Sequence, residues 1–246
     1  AGKTLFERAL SIEAEMRMME AEARGNDDSS SGRIRVTQPP LGAIDFYDIY
    51  VDFRHQHPKI GLEIIPGPWL HNLNSQEVDV SIVFCEQPDE LLVGRELGQI
   101  KFNACASESY LARFTQQPAL GDIEWVLQDK STAEQSRGGK QTPRRFLEQQ
   151  LGQPRIAMET SSYSDVVAAV KAGLGAGFLS HLALAADPNL TALDCCHYGP
   201  ERPLWILTHR DLRSVPRIQT FVRFVAERLT TRLARGTSNL AMERKA

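Results

Sequence analysis

A chain of 246 residues exceeds one average domain, and 42% hydrophobic residues are enough to fill one or two real cores. With 24% charged residues and a net charge of −3, the composition excludes a chain that grips nucleic acid through a basic field of its own. No run reaches transmembrane length and no charged-then-apolar leader opens the chain, so no membrane partner and a cytoplasmic location are expected. Ala1 in place of methionine reads as the start of a fragment. Cys85, Cys105, Cys195 and Cys196 have no disulfide-framework spacing, and a reducing compartment is the default.

Residues 1–24 read as one helix. Leu5, Ala9, Ile12, Met16, Met19 and Ala23 recur at alternating four and three residues, a heptad seam that Phe6 and Leu10 widen. The seam suits a dimerisation helix, and a helix folded back on its own domain would show the same pattern. Residues 25–32 (GNDDSSSG) form a polar, glycine-bounded hinge.

Ile34 and Val36 begin a strand that stops at Gln38-Pro39-Pro40, because proline cannot continue a central ladder. Residues 41–57 carry Ile44, Phe46, Ile49, Tyr50 and Phe53 at helical spacing, and Pro58 ends that helix. Leu62, Ile64 and Ile65 make the next strand. Pro66-Gly67-Pro68 turns into a short helix around residues 69–73, and VDVSIVF (78–84) is a buried strand. This β-α-β-α-β order predicts a parallel, helix-covered sheet.

Residues 87–98 read as a polar connection and 100–106 as a strand, after which Ser107 caps a helix. Residues 125–127 are a strand, 129–141 a loop, 143–151 a basic helix and 156–158 a strand. The polar cluster Thr160-Ser161-Ser162-Tyr163-Ser164 then supplies N-cap oxygens to a short apolar helix over 166–172, closed by Gly173. Phe178-Leu179 follow as a buried strand. The exposed N–H groups at that helix start predict an anion site. Short strands at 190–193 and 204–207 and an amphipathic helix over 217–233 complete the chain, with a loose polar tail after Gly236.

Several residues carry two readings. Lys101 either pairs with a ligand or is solvated, and Ser161-Ser162 either bind a ligand or only cap a helix. Phe178 is a ligand wall or, by the usual fate of short apolar runs, core. Cys195-Cys196-His197 is poorly spaced for chelation, so no metal is expected. His55 and His57 favour a helix C-terminus by charge, and i,i+2 residues do not share a helical face. No Gly-x-Ser-x-Gly elbow and no assignable nucleophile–base pair occur, which disfavours an enzyme.

Six landmarks occur in order and register over roughly residues 1–230. AGKTLFERALSIEAEM resembles the linker helix that follows the winged helix-turn-helix of LysR-type transcriptional regulators. GRIRVTQPPLG is similar to their first effector-domain strand, and HPKIGLEIIPG, LNSQEVDVSIVF, FNACASESYLAR and VVAAVKAGLGAGFLS match later landmarks. The resemblance implies an α/β, two-lobed periplasmic-binding-protein-like (type II) fold with two crossover strands, at 100–106 and 203–208, preceded by a linker/dimerisation helix. It divides the chain into a linker helix (1–24), a hinge (25–32), lobe I (33–99 and 209–235), lobe II (100–208) and a tail (236–246).

The same resemblance implies a small effector bound in a cleft between lobes, homodimer or homotetramer formation, DNA contact through an upstream winged helix-turn-helix, and no cofactor. The matching effector positions are Gln38, Pro39 and Pro40, then Gly67, Pro68 and Phe84, then Gln99 and Lys101. From lobe II come Asp129, Ser131 and Thr132, then Ser161, Ser162, Phe178 and Leu179, with Leu204 on the return strand. This chain departs from the pattern with prolines where many relatives place hydroxyls, and with Phe84 where some carry arginine. A solute-binding protein of a transporter shares the fold and stands as the alternative. An enzyme on that fold would need a polar catalytic constellation that the sequence does not display.

Overall fold

The structure, a computed structural model, describes Arg8, Ile12 and residues 31–40, 42–65, 78–129, 142–196 and 201–243, the stretch 235–243 as backbone only. Arg8 and Ile12 are helical and exposed. The other seam positions Leu5, Ala9, Met16, Met19 and Ala23 lie outside the described residues, as does the short helix expected around residues 69–73. Two compact units emerge: Ala1–Pro39, Phe46–Gly98 and Pro203–Arg232 form the first, and Pro40–Asp45, Gln99–Arg202 and Leu233–Ala246 the second. No described helix is long and apolar enough to cross a membrane.

Unit 1 begins with β1 (Gly32–Thr37), whose alternating apolar residues Ile34 and Val36 are fully buried. It pairs in parallel with β2 (Ile60–Ile64) and β3 (Val80–Phe84). Parallel neighbours need a crossover, and α1 (Tyr47–Gln56) supplies the first, burying Ile49, Tyr50 and Phe53. The helix is shorter than its apolar spacing predicted. Gly42 holds φ at +92°, which no right-handed helix accommodates, so Ile44 and Phe46 are buried from the chain ahead of the helix.

The closing helix α6 (Pro216–Glu243) lays Ile218, Phe221, Val225 and Leu229 into the core. Phe53 meets Phe221 and Phe224 edge-on, with ring centroids 5.1 and 5.3 Å apart. Each such ring contributes about 1.5–3 kcal/mol by burial. The helical backbone runs past the expected end near residue 233 as far as Glu243. No proline follows Gly236, and glycine alone weakens a helix by only about 1 kcal/mol. Asp79 closes the unit's polar interior: its Oδ2 accepts from the Arg35 backbone N–H at 2.8 Å and its Oδ1 from Arg35 Nη2 at 3.1 Å. Its carbonyl accepts from Thr208 Oγ1 at 2.7 Å.

The strands β4 (Leu92–Ser107) and β9 (Glu201–His209) carry the chain from one unit to the other. The sheet order is β2-β1-β3-β9-β4-β7. Residues 92–98, expected as a polar connection, are therefore strand, held by pairing with β9 despite exposed side chains.

In unit 2, β7 (Gly177–Ser180) runs antiparallel to β4, and β8 (Leu190–Ala192) pairs with β4 as well. Separately, β5 (Glu124–Gln128) and β6 (Arg155–Thr160) pair in parallel, and Trp125 bridges Ala176 in parallel. The short α2 (Glu108–Leu111) is capped by Ser107, whose Oγ accepts from Tyr110 N–H. α3 (Pro143–Leu151) starts with proline at its first turn and Thr142 as cap. The core centres on Trp125 stacked over Phe178, with centroids 5.1 Å apart and planes 9° from parallel.

Candidate functional site

The polar cluster at residues 160–165 opens α4 (Tyr163–Lys171), a nine-residue helix buried through Tyr163, Val166, Val167 and Val170. Ser162 is the N-cap, its Oγ accepting from Asp165 N–H at 3.3 Å. Ser162 N–H donates to Thr160 Oγ1 at 3.1 Å, and that hydroxyl donates to Asp165 Oδ2 at 3.2 Å. The Asp165 carboxylate thus sits in the first turn, where the dipole favours negative charge. A ligand anion meets a helix start already part-compensated, with Ser161 exposed and Ser162 half-buried.

Tyr163 ties this helix to β7, accepting from Ser180 N–H at 3.2 Å and donating to the Phe178 carbonyl at 3.4 Å. At the other end Gly173 holds φ at +80°, and a Cβ there would lie 2.7 Å from Ser109 Oγ. A Cβ on Gly175 would lie 2.5 Å from the Glu124 carbonyl. The glycine series therefore serves close backbone packing.

The second cluster lies where β4 enters unit 2. Lys101 Nζ pairs with Glu201 at 2.7 Å, both side chains being about half exposed. The Lys101 backbone N–H donates to Nδ1 of His181 at 3.2 Å. His181 opens α5 (His181–Ala185) and is 1% exposed, and its Nε2 has no acceptor among the described residues. With Nδ1 accepting, Nε2 must carry the hydrogen. Burial lowers the His181 pKa, the charge of Lys101 adds to the lowering, and Glu201 opposes it. Neither Glu201 nor His181 was singled out in the sequence. Glu201 stands a hundred residues from its partner and leaves no local signal, whereas a histidine directly after an apolar strand is a signal that could have been used.

The remaining expected positions divide by unit. In unit 1, Gln38 Oε1 accepts from Tyr50 Oη at 2.5 Å, Pro39 is buried, and Phe84 pairs in register with Leu204, which is fully buried. In unit 2, Pro40 is half-buried and Gln99 exposed, and Asp129 N–H donates to the Thr160 carbonyl at 2.9 Å. Phe178 and Leu179 are packed on β7, Phe178 by its stack on Trp125. Of its two readings, Phe178 takes the core one in this structure. Gly67, Pro68, Ser131, Thr132 and His197 lie outside the described residues. Among the described residues no group of three His, Cys, Asp or Glu side chains converges as a metal site.

Comparison with known proteins follows this geometry. The family described as LysR substrate binding domain matches residues 27–230. An HTH-type transcriptional regulator of Xanthomonas campestris pv. campestris (strain 8004) is 29% identical over 115 residues, which are 46% of this chain and 33% of that regulator. The match thus spans about a third of the length of this curated relative. CrgA, a LysR-type transcriptional regulator from Neisseria meningitidis, superposes with a TM-score of 0.67 at 21% identity, covering 93% of this chain and 79% of that one. CbnR, solved in complex with its target DNA, superposes with a TM-score of 0.59 at 16% identity, covering 94% and 82%. These structures share the two-lobed fold.

Proposed function

The chain belongs to the LysR substrate binding domain family, and on that premise we propose that it is the effector-sensing and oligomerising part of a LysR-type transcriptional regulator. The observation that carries the reading is the Lys101–Glu201 pair. It is a half-exposed cation on the strand that joins the two units, held among the described residues by a carboxylate that another carboxylate can replace. An effector acid takes Lys101 from Glu201 and gains hydrogen bonds from Gln99 and the Ser161–Ser162 turn. Because β4 and β9 are the strands that carry the chain between units, repartnering Lys101 biases one arrangement of the protein over another. The heptad seam in the sequence of residues 1–24 serves dimerisation, and DNA is bound by a winged helix-turn-helix outside this chain. The relatives named above are regulators, which favours this reading over a transporter's solute-binding protein.

The test is thermal unfolding against a panel of small carboxylates, aromatic acids and amino acids. An effector at a hundredfold excess over its Kd stabilises the chain by about 2.7 kcal/mol. Lys101→Met should abolish that stabilisation and Ser162→Ala should reduce it. Stabilisation that survives Lys101→Met would place the effector elsewhere.

A further inference from the structure

We propose that unit 1 carries a second binding site of its own, for an organic anion with an apolar body, in the cavity formed by the start of β4, β9 and α6. The cavity has a volume of about 730 Å³, within the range of roughly 300–1,000 Å³ usual for small-molecule sites. Its apolar lining includes Leu92, Trp205, Leu207, Ile218 and Val222. The charged residues on it are three arginines, Arg95, Arg213 and Arg223, and no described aspartate or glutamate joins them. None of the three guanidinium groups is held in an ion pair among the described residues.

Trp205 is half-buried in this lining, its indole Nε1 closed off from the cavity and without an acceptor among the described residues. Gly94 contributes no side chain. A Cβ there would stand 1.9 Å from the Ile206 carbonyl, so the close approach of β4 to β9 keeps this stretch of the lining bare.

These features select a ligand class. A neutral apolar molecule makes no use of the three guanidinium groups, which are exposed. A small hydrated anion such as phosphate leaves the indole and aliphatic surface wet. A carboxylate or sulfonate on a flat apolar body satisfies both, its oxygens facing the arginine forks and its body on Trp205.

The experiment uses two fluorescent probes that share one body, 8-anilinonaphthalene-1-sulfonate and its uncharged counterpart N-phenyl-1-naphthylamine. The whole chain should bind the sulfonate saturably and more tightly than the neutral probe. Replacing the arginines together (Arg95→Gln, Arg213→Gln, Arg223→Gln) should weaken the sulfonate at least about tenfold, equivalent to about 1.4 kcal/mol, and leave the neutral probe within about twofold. Equal sulfonate binding by both proteins, or parallel loss of both probes, would overturn the site. Should the triple variant fail to fold, Gln219→Glu adds a carboxylate to the same lining and should weaken only the sulfonate. The arginine variants should leave the Lys101-dependent effector stabilisation unchanged, so this site and the effector reading stand or fall separately.

Discussion

Each unit contains a cation–carboxylate pair on a central strand, and the two are built to opposite ends. In unit 1 the Arg35–Asp79 pair is mostly shielded, with side chains 22% and 12% exposed, and Asp79 also accepts from the Arg35 backbone. In unit 2 the Lys101–Glu201 pair has side chains 42% and 51% exposed, beside a buried histidine whose N–H meets no acceptor among the described residues. A shielded pair with both carboxylate oxygens hydrogen-bonded fixes a strand register. An exposed pair contributes about 0–1 kcal/mol and can exchange partners without unfolding its surroundings. The difference separates a junction that holds the fold from one that can respond.

The sharpest way to break the first junction is Asp79→Ala, which strands Arg35 and its backbone N–H together. We expect a loss of about 3–5 kcal/mol in denaturant-measured stability. Asp79→Asn keeps an acceptor and should lose about half as much. A cost under 1 kcal/mol for the alanine variant would erase the contrast between the junctions.

Phe178→Ala empties the stack on Trp125 and should cost about 3–5 kcal/mol, read by the same titration. A variant of near wild-type stability would return Phe178 to the role of ligand wall.

The histidine makes the second junction sensitive to pH. Folding lowers the His181 pKa below 6.5, so above pH 6.5 both folded and unfolded chains are neutral there and the group has no effect. As pH falls below 6.5 the unfolded chain takes a proton that the folded chain resists. Stability therefore declines until the folded pKa is reached and is constant below it. His181→Asn should flatten that acid-side decline; an unchanged slope in thermal unfolding between pH 7 and 5 would assign the loss to other groups.

Smallest of all is the effect of Lys101→Met on the unliganded chain, expected below about 1 kcal/mol. A larger cost would make this junction structural too.

The sequence made local features legible and long-range ones not. The bounds of α3, the Ser107 and Ser162 caps and the turn at Gly173 depend on chemistry within a few residues, and the structure has them where that chemistry predicts. The first half of β4 was hidden because Arg95, Glu96 and their neighbours read as surface loop, and only pairing with β9 makes them strand. At the site, Lys101 could be named from a resemblance, yet its partner Glu201 and the histidine behind it depend on a fold that brings together residues 80 to 100 positions apart. Ser161 and Ser162 were legible as caps, but the Asp165 carboxylate that shares their helix start becomes decisive only with its geometry.

Calorimetric titration of a carboxylate that stabilises the chain, into wild type, Glu201→Gln and Lys101→Met, tests the exchange directly. Removing the competing carboxylate in Glu201→Gln should tighten binding, by up to about fivefold if the exposed pair is worth about 1 kcal/mol, while Lys101→Met should lose binding. Unchanged affinity in both variants, or weaker binding in Glu201→Gln, would contradict the account.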